Sequence, residues 1–196
     1  MMITDKKLFT WVLLTLVVFS LAHATVSFAE QPMAEVKNTV ERIEAARTNP
    51  STTKVETAQA IRAILLPRFD FTEMAKQSLG SYWKNLDGRE VEFVSAFADF
   101  VANSYMGTLE SYRGEKIVYL RERVDQNLAQ VDTRIVMSKG DPLSVSYRLH
   151  LMADDWKIYD VVIDDISLVS NFHSQFSRIL AYGSFDELLR KMREKG

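Results

Sequence analysis

Apolar positions along the chain recur first at intervals of three and four, then at intervals of two, then at three and four again, an order that predicts helices, strands and helices. Val36, Val40 and Ile43 open the first helical stretch, and Asn49-Pro50-Ser51 interrupts it. Thr53 with Glu56 three positions on has the form of a capping box, in which each side chain satisfies the other's backbone amide. Val55, Ala58, Ile61 and Leu65 then line one face until Pro67. Asp70 and Glu73 repeat the start signal, Phe69 and Met74 occupy the positions of a hydrophobic staple, and Gly80 is the matching stop. Asp87 and Glu90 open a longer helix in which Phe93, Phe97, Phe100, Val101 and Ser104 share a side and which Gly114 closes.

Past Gly114 the period falls to two. Val118, Leu120 and Val124 alternate with polar neighbours through Glu122, as do Val131, Thr133, Ile135 and Met137, and then Val145, Tyr147, Leu149 and Leu151. Asp125-Gln126-Asn127, Lys139-Gly140-Asp141-Pro142 and Asp154-Asp155 read as hairpin connections, and a fourth strand runs from Trp156 to Ile163. Helical spacing returns near Ser167 to Ser170, halts around Gly183 and resumes at Ser184, with Glu187 as its capping partner. Segregated elements of this kind predict an α+β fold: a curved antiparallel sheet of about four strands, covered on one face by N-terminal and C-terminal helices. A sheet that bends away from its helices encloses an apolar pocket, but periodicity alone does not separate a lined pocket from a filled core.

Composition narrows the picture. A chain of 196 residues suits one domain with a substantial core. Residues 1–29 read as a secretory signal: Lys6 and Lys7 precede an apolar run from Leu8 to Ala22, too short to favour a membrane span, and small residues follow. Cleavage after Ala29 is preferred to cleavage after Ala24 because it leaves a polar N-terminus at Glu30. Residues 30–196 then form a single domain. Removal of Lys6, Lys7 and Asp5 carries the formal charge from −2 to −3, a balance that argues against a nucleic-acid partner. Cysteine is absent, so neither a disulfide framework nor a lipidation site is expected. The mature protein reads as soluble and diffusible.

Candidate chemistry is sparse. Beyond the signal the histidines are His150 and His173, with no cysteine to complete a nucleophile pair or a zinc site. His150 falls on the polar side of its strand with Ser146 and Arg148, and His173 reads as a surface residue. Asp164 and Asp165 suit a strand end and turn. Asp160 stands among apolar neighbours, where a carboxylate needs a partner, and Arg134 or Arg148 on neighbouring strands is placed to supply one. No phosphate-cradling loop, serine elbow or metal-ligand helix pair is present.

Several short pieces recur in an order and spacing that are specific together. They are Phe69-Asp70-Phe71, Leu79-Gly80, Tyr82-Trp83, Phe93-Val94 with Phe97, then Tyr105, Leu109 and Tyr112. Val131-Asp132-Thr133, Tyr147-Arg148-Leu149 and a block from Trp156 to Phe176 with Ile166-Ser167-Leu168-Val169 and Ser174-Gln175-Phe176 complete the set. In these the chain resembles the MlaC, or toluene-tolerance, family from about Val36 to Leu189. The resemblance implies a soluble periplasmic carrier, without enzymatic activity or cofactor, that shuttles phospholipid between the two membranes of a Gram-negative envelope and so maintains outer-membrane asymmetry. It implies as partners an inner-membrane ABC transporter complex with an MCE-domain subunit and an outer-membrane lipoprotein–porin complex, the carrier itself being a monomer. The chain departs from the family pattern at two sites: Phe172-His173 stands where Tyr-Arg is common, and Asp165 where Gly is common.

On this reading the acyl chains lie against Phe97, Val101 and Tyr105 of the long helix, facing Ile135, Tyr147, Leu149, Val161 and Ile163 of the sheet, with Val169 and Phe172 nearby. Gly107 in the long helix is a flexible point or, more simply, a packing contact. Three alternatives stay open: a carrier of another lipid such as a hopanoid, a small α+β enzyme using His150 or Asp160 as general base, and an adaptor with a filled core that binds protein on a concave face.

Overall fold

The computed structural model describes residues 31–111, 115–137 and 140–195. The expected signal, Tyr112, Gly114 and Lys139 lie outside these, as do the side chains of 106–111, and with them the surroundings of Gly107 and Leu109. Helix α1 (Pro32–Arg47) leads to α2 (Lys54–Leu65), a 3-10 turn (Leu66–Arg68), α3 (Phe71–Leu79), a second 3-10 segment (Gly80–Asn85) and the long α4 (Glu90–Ser111). Strands β1 (Lys116–Asp125), β2 (Leu128–Val136), β3 (Leu143–Met152), β4 (Asp155–Ile163) and the two-residue β5 (Ile166–Ser167) follow, then α5 (Leu168–Leu180) and α6 (Phe185–Lys195). The strands form one antiparallel sheet in sequence order, with five members where four were expected.

Local signals set the helix ends. The Thr53 hydroxyl accepts from the Glu56 amide and the Glu56 carboxylate accepts from the Thr53 amide at 2.7 Å, completing the capping box. Asp70 caps α3 through the Glu73 amide at 3.0 Å, and the Ser184 hydroxyl accepts from the Glu187 amide. Gly80 ends α3 at φ +56°, and a Cβ there would sit 2.6 Å from His173 Cε1, so glycine is required both by conformation and by the close approach of α5. Val55, expected on the buried face of α2, is 66% exposed because it lies in the first turn, beyond the packed stretch around Ile61.

The face of β1 also differs from expectation. A bulge at Leu120 reverses the alternation, so Ile117 and Tyr119 point inward before it and Glu122 and Val124, opposite Val131 and Ala129, after it; Leu120 itself and Val124, near the end of the strand, are exposed. A second bulge, at Tyr159 of β4 opposite Arg148 and Leu149, adds to the bending of the curved, unclosed sheet. The β3–β4 and β4–β5 turns have positive φ at both central residues, Ala153-Asp154 and Asp164-Asp165, as tight two-residue hairpins require.

Buried side chains fall into two clusters. Phe93 and Phe97 from α4 pack with Phe172 and Phe176 from α5 and with Leu188, Leu189 and Met192 from α6. Ring centroids there lie about 5.5 to 6.1 Å apart, with Phe97 edge-on to Phe172 and Phe172 stacked on Phe176. The second cluster joins Val36 of α1 to the inner sheet face through Val131, Val145, Leu149, Trp156 and Ile158.

Candidate functional site

Between the two clusters lies a cavity of about 280 Å3. A space of about 10–15 Å3 on this measure holds one water, so this one is far larger than a packing defect, and a lining that offers water few hydrogen-bond partners suits hydrocarbon. Each wall comes from a different element. Val36, Val40 and Ile43 of α1 form a lid, and Val101, Ala102 and Tyr105 of α4 close the helical side. Ile117, Ile135, Val145, Tyr147 and Leu149 supply the inner faces of β1 to β3, and Trp156, Ile158, Val161 and Ile163 that of β4. Leu65, Leu66, Phe69, Phe71 and Met74 fill the end where the chain turns from α2 into α3.

Seven of the expected residues therefore border the cavity: Val101, Tyr105, Ile135, Tyr147, Leu149, Val161 and Ile163. Phe97, Val169 and Phe172 do not, because their side chains are consumed in the helical cluster, where ring packs on ring. They hold α4 and α5 in place behind the cavity. The lid formed by α1 and the segment from Leu65 to Met74 were not anticipated. The apolar stripe of α1 was visible, but a stripe does not say what it covers.

Polar groups touch the cavity in few places. Thr39 donates to Glu35 O of its own helix at 2.9 Å. Glu35 and Arg68 are the charged lining residues and pair at 2.9 Å, fastening the lid to the turn after α2. Arg68 also reaches both Asp155 oxygens at 3.4 Å, and Lys157 bridges Asp155 at 2.6 Å and the Pro67 carbonyl at 2.8 Å. The Met33 amide donates to Glu122 at 2.7 Å, and Lys37 lies 5.1 Å over the Tyr119 ring, so α1 is held on β1 by polar contacts as well. Burial pushes the Tyr147 phenol up to about 12, with the nearby Tyr119 adding to the shift; the side chain retains accessible area because it borders the void.

The two general-base candidates lie off the cavity. Asp160, 2% exposed, accepts from Arg148 Nη1 at 3.0 Å, from Ser167 Oγ at 2.7 Å and from the Val169 amide at 3.1 Å. It ties β3, β5 and the start of α5 to β4, a structural role with Arg148 as the partner. His150 Nε2 is 3.0 Å from Asp70 Oδ2, though off the line of a hydrogen bond, and its ring lies 5.5 Å from that of Tyr159. Among the described residues no group of three or more His, Asp or Glu side chains is placed to hold a metal ion.

Comparison with known proteins agrees with this architecture. The sequence pattern of the family described as MlaC protein matches residues 34–194. The intermembrane phospholipid transport system binding protein MlaC of Haemophilus influenzae is 26% identical over 140 residues, 68% of this chain and 65% of that protein, just under two thirds of the relative's length. The phospholipid-binding protein of Ralstonia solanacearum, solved in complex with a phospholipid, has the same fold, with a TM-score of 0.73 and 21% identity over 84% of this chain and 96% of that one. By the match across residues 34–194, the chain belongs to the MlaC family.

Proposed function

We propose that the protein is a non-enzymatic carrier that hides the acyl chains of a phospholipid in its cavity and ferries them between the inner and outer membranes across the periplasm. The observation that carries this reading is a void lined almost wholly by aliphatic and aromatic side chains, where a domain of this size would ordinarily be close-packed. Each acyl methylene withdrawn from water is worth about 0.8 kcal/mol, so about ten of them contribute ~8 kcal/mol without any directional contact. The need for a carrier follows from the same figure, since unaided transfer through water exposes both tails.

The named activity of the Haemophilus influenzae relative and the phospholipid held by the Ralstonia solanacearum protein support the choice of cargo. Carriage needs no catalytic group, and neither His150 nor Asp160 faces the cavity. Export by the N-terminal signal, and exchange with an inner-membrane ABC transporter complex bearing an MCE-domain subunit and an outer-membrane lipoprotein–porin complex, complete the proposal. It is tested by fluorescent-phospholipid transfer between donor and acceptor vesicles. The protein should accelerate transfer in proportion to its concentration. Transfer no faster than in buffer, by protein able to take up lipid, would overturn the carrier role.

A further inference from the structure

The sheet face turned away from the cavity carries a patch of four arginines. Arg121 and Arg123 stand on β1, Arg134 on β2 and Arg148 on β3. The register sets Arg121 opposite Asp132, Arg123 opposite Gln130, Gln130 opposite Arg148, and Arg134 between Val118 and Ser144. Side chains directly opposite on one face have Cβ atoms about 4.5–5.5 Å apart, so the four guanidinium groups share one continuous surface.

Two carboxylates answer them. Asp132 accepts from Arg121 at 3.1 Å and Arg123 at 3.4 Å, and from Gln130 and Ser146 at 2.6 and 2.7 Å; Asp160, buried, takes Arg148 at 3.0 Å. Arg134 is exposed and has no ion pair among the described residues. On the same face Asp125 and Asp155, opposite Leu128 and Met152, are offset by Lys116 and Lys157, opposite Val136 and His150, so the face keeps a positive excess on a chain whose formal charge is −2. Arg121 and Arg123 remain 60% and 55% exposed although Asp132 fixes their direction. On the same sheet, Leu120, Leu128, Val136 and Met152 are 50%, 52%, 41% and 46% exposed, large apolar side chains left in solvent around the charged centre.

We propose that this outer face docks the protein on a bilayer surface rich in anionic phospholipid, the arginines taking lipid phosphates and the surrounding aliphatic side chains resting at the headgroup boundary. Guanidinium groups stay charged at every physiological pH and bind phosphate oxygens in pairs. Arginine centred among exposed aliphatics is the composition of a membrane-interface surface, where an acidic protein partner would ask for charge alone. Docking by the outer face leaves the lid side of the sheet free. It needs no cavity and stands apart from the carrier reading.

Co-sedimentation of the purified protein with vesicles of phosphatidylglycerol and phosphatidylcholine, against phosphatidylcholine alone, tests this. Binding should require phosphatidylglycerol and fade as salt shortens the screening length. R121Q/R123Q/R134Q should weaken it about a hundredfold, at about one kcal/mol per arginine near an anionic surface. R134Q alone, which breaks no ion pair among the described residues, should weaken it about fivefold. Val145→Phe, directed at the cavity, should bind vesicles as the parent does. Equal binding to both vesicle types, unchanged binding by R134Q, or attachment to an acidic protein without attachment to lipid would overturn the proposal.

Discussion

Replacing Val131 and Val145 by phenylalanine, one at a time, separates a core from a wall. Both valines sit on the inner face of neighbouring strands and are nearly inaccessible, at 0% and 5%, yet only Val145 borders the cavity. Phenylalanine adds about four carbons. At 131 they must displace packed neighbours, which costs about 1–3 kcal/mol, and a domain of this size loses about 2–4 °C in Tm per kcal/mol. At 145 the ring swings into the void, and the apolar area it buries offsets the strain, so stability should change by less than about 1 kcal/mol. The same ring takes space from cargo: displacing about four methylenes at ~0.8 kcal/mol each weakens binding by about 3 kcal/mol, roughly a hundredfold in Kd. Thermal denaturation and titration with a fluorescent phospholipid read the two effects. If Val145→Phe lost as much stability as Val131→Phe, or bound lipid as tightly as the parent, the reasoning would fail.

Asp160→Asn should cost about 2–4 kcal/mol, somewhat less than the ~3–5 kcal/mol of a fully buried pair because Arg148 is 43% exposed, and should appear as a lower urea midpoint at unchanged m. A drop under about 0.5 kcal/mol would remove its role as a tie between β4 and α5. Gly80→Ala should destabilise by about 1–3 kcal/mol, and adding His173→Ala should restore only the steric part, leaving the cost of the positive φ; full recovery in urea melts would refute the conformational part. Tyr147 is held neutral by burial, so its contribution is complete below pH ~10 and is lost as pH rises from ~10 toward its raised value of about 12, a fall of about 2–3 kcal/mol. Ultraviolet tyrosinate titration with Tyr147→Phe as reference checks this, and a phenol ionising near pH 10 would mean that water fills the cavity.

What the sequence disclosed follows the range of the physics involved. The Thr53–Glu56 box, the Asp70 cap and the Gly80 stop act within a few residues, and each was legible. The inner face of β1 was not, since one bulge residue reverses the alternation and nothing in Val118, Leu120 and Val124 betrays it. Asp160 announced its need for a partner and Arg148 was among the candidates, while its bonds to Ser167 and the Val169 amide depend on how α5 docks. Phe97 and Phe172 look, along the chain, like Val101 and Tyr105. Only in three dimensions do the first two meet each other and the second two meet empty space. The lid escaped for the same reason, because Val36, Val40 and Ile43 show a face without showing its counterpart.

The most direct test is native mass spectrometry of the protein purified gently from a Gram-negative host, with lipid extraction and identification from the same sample. The account predicts a stoichiometric diacyl phospholipid, greatly diminished in Val145→Phe and retained in Asp160→Asn protein that is still folded. Repeated recovery of well-folded protein with no lipid, taking up none when it is offered, would contradict it.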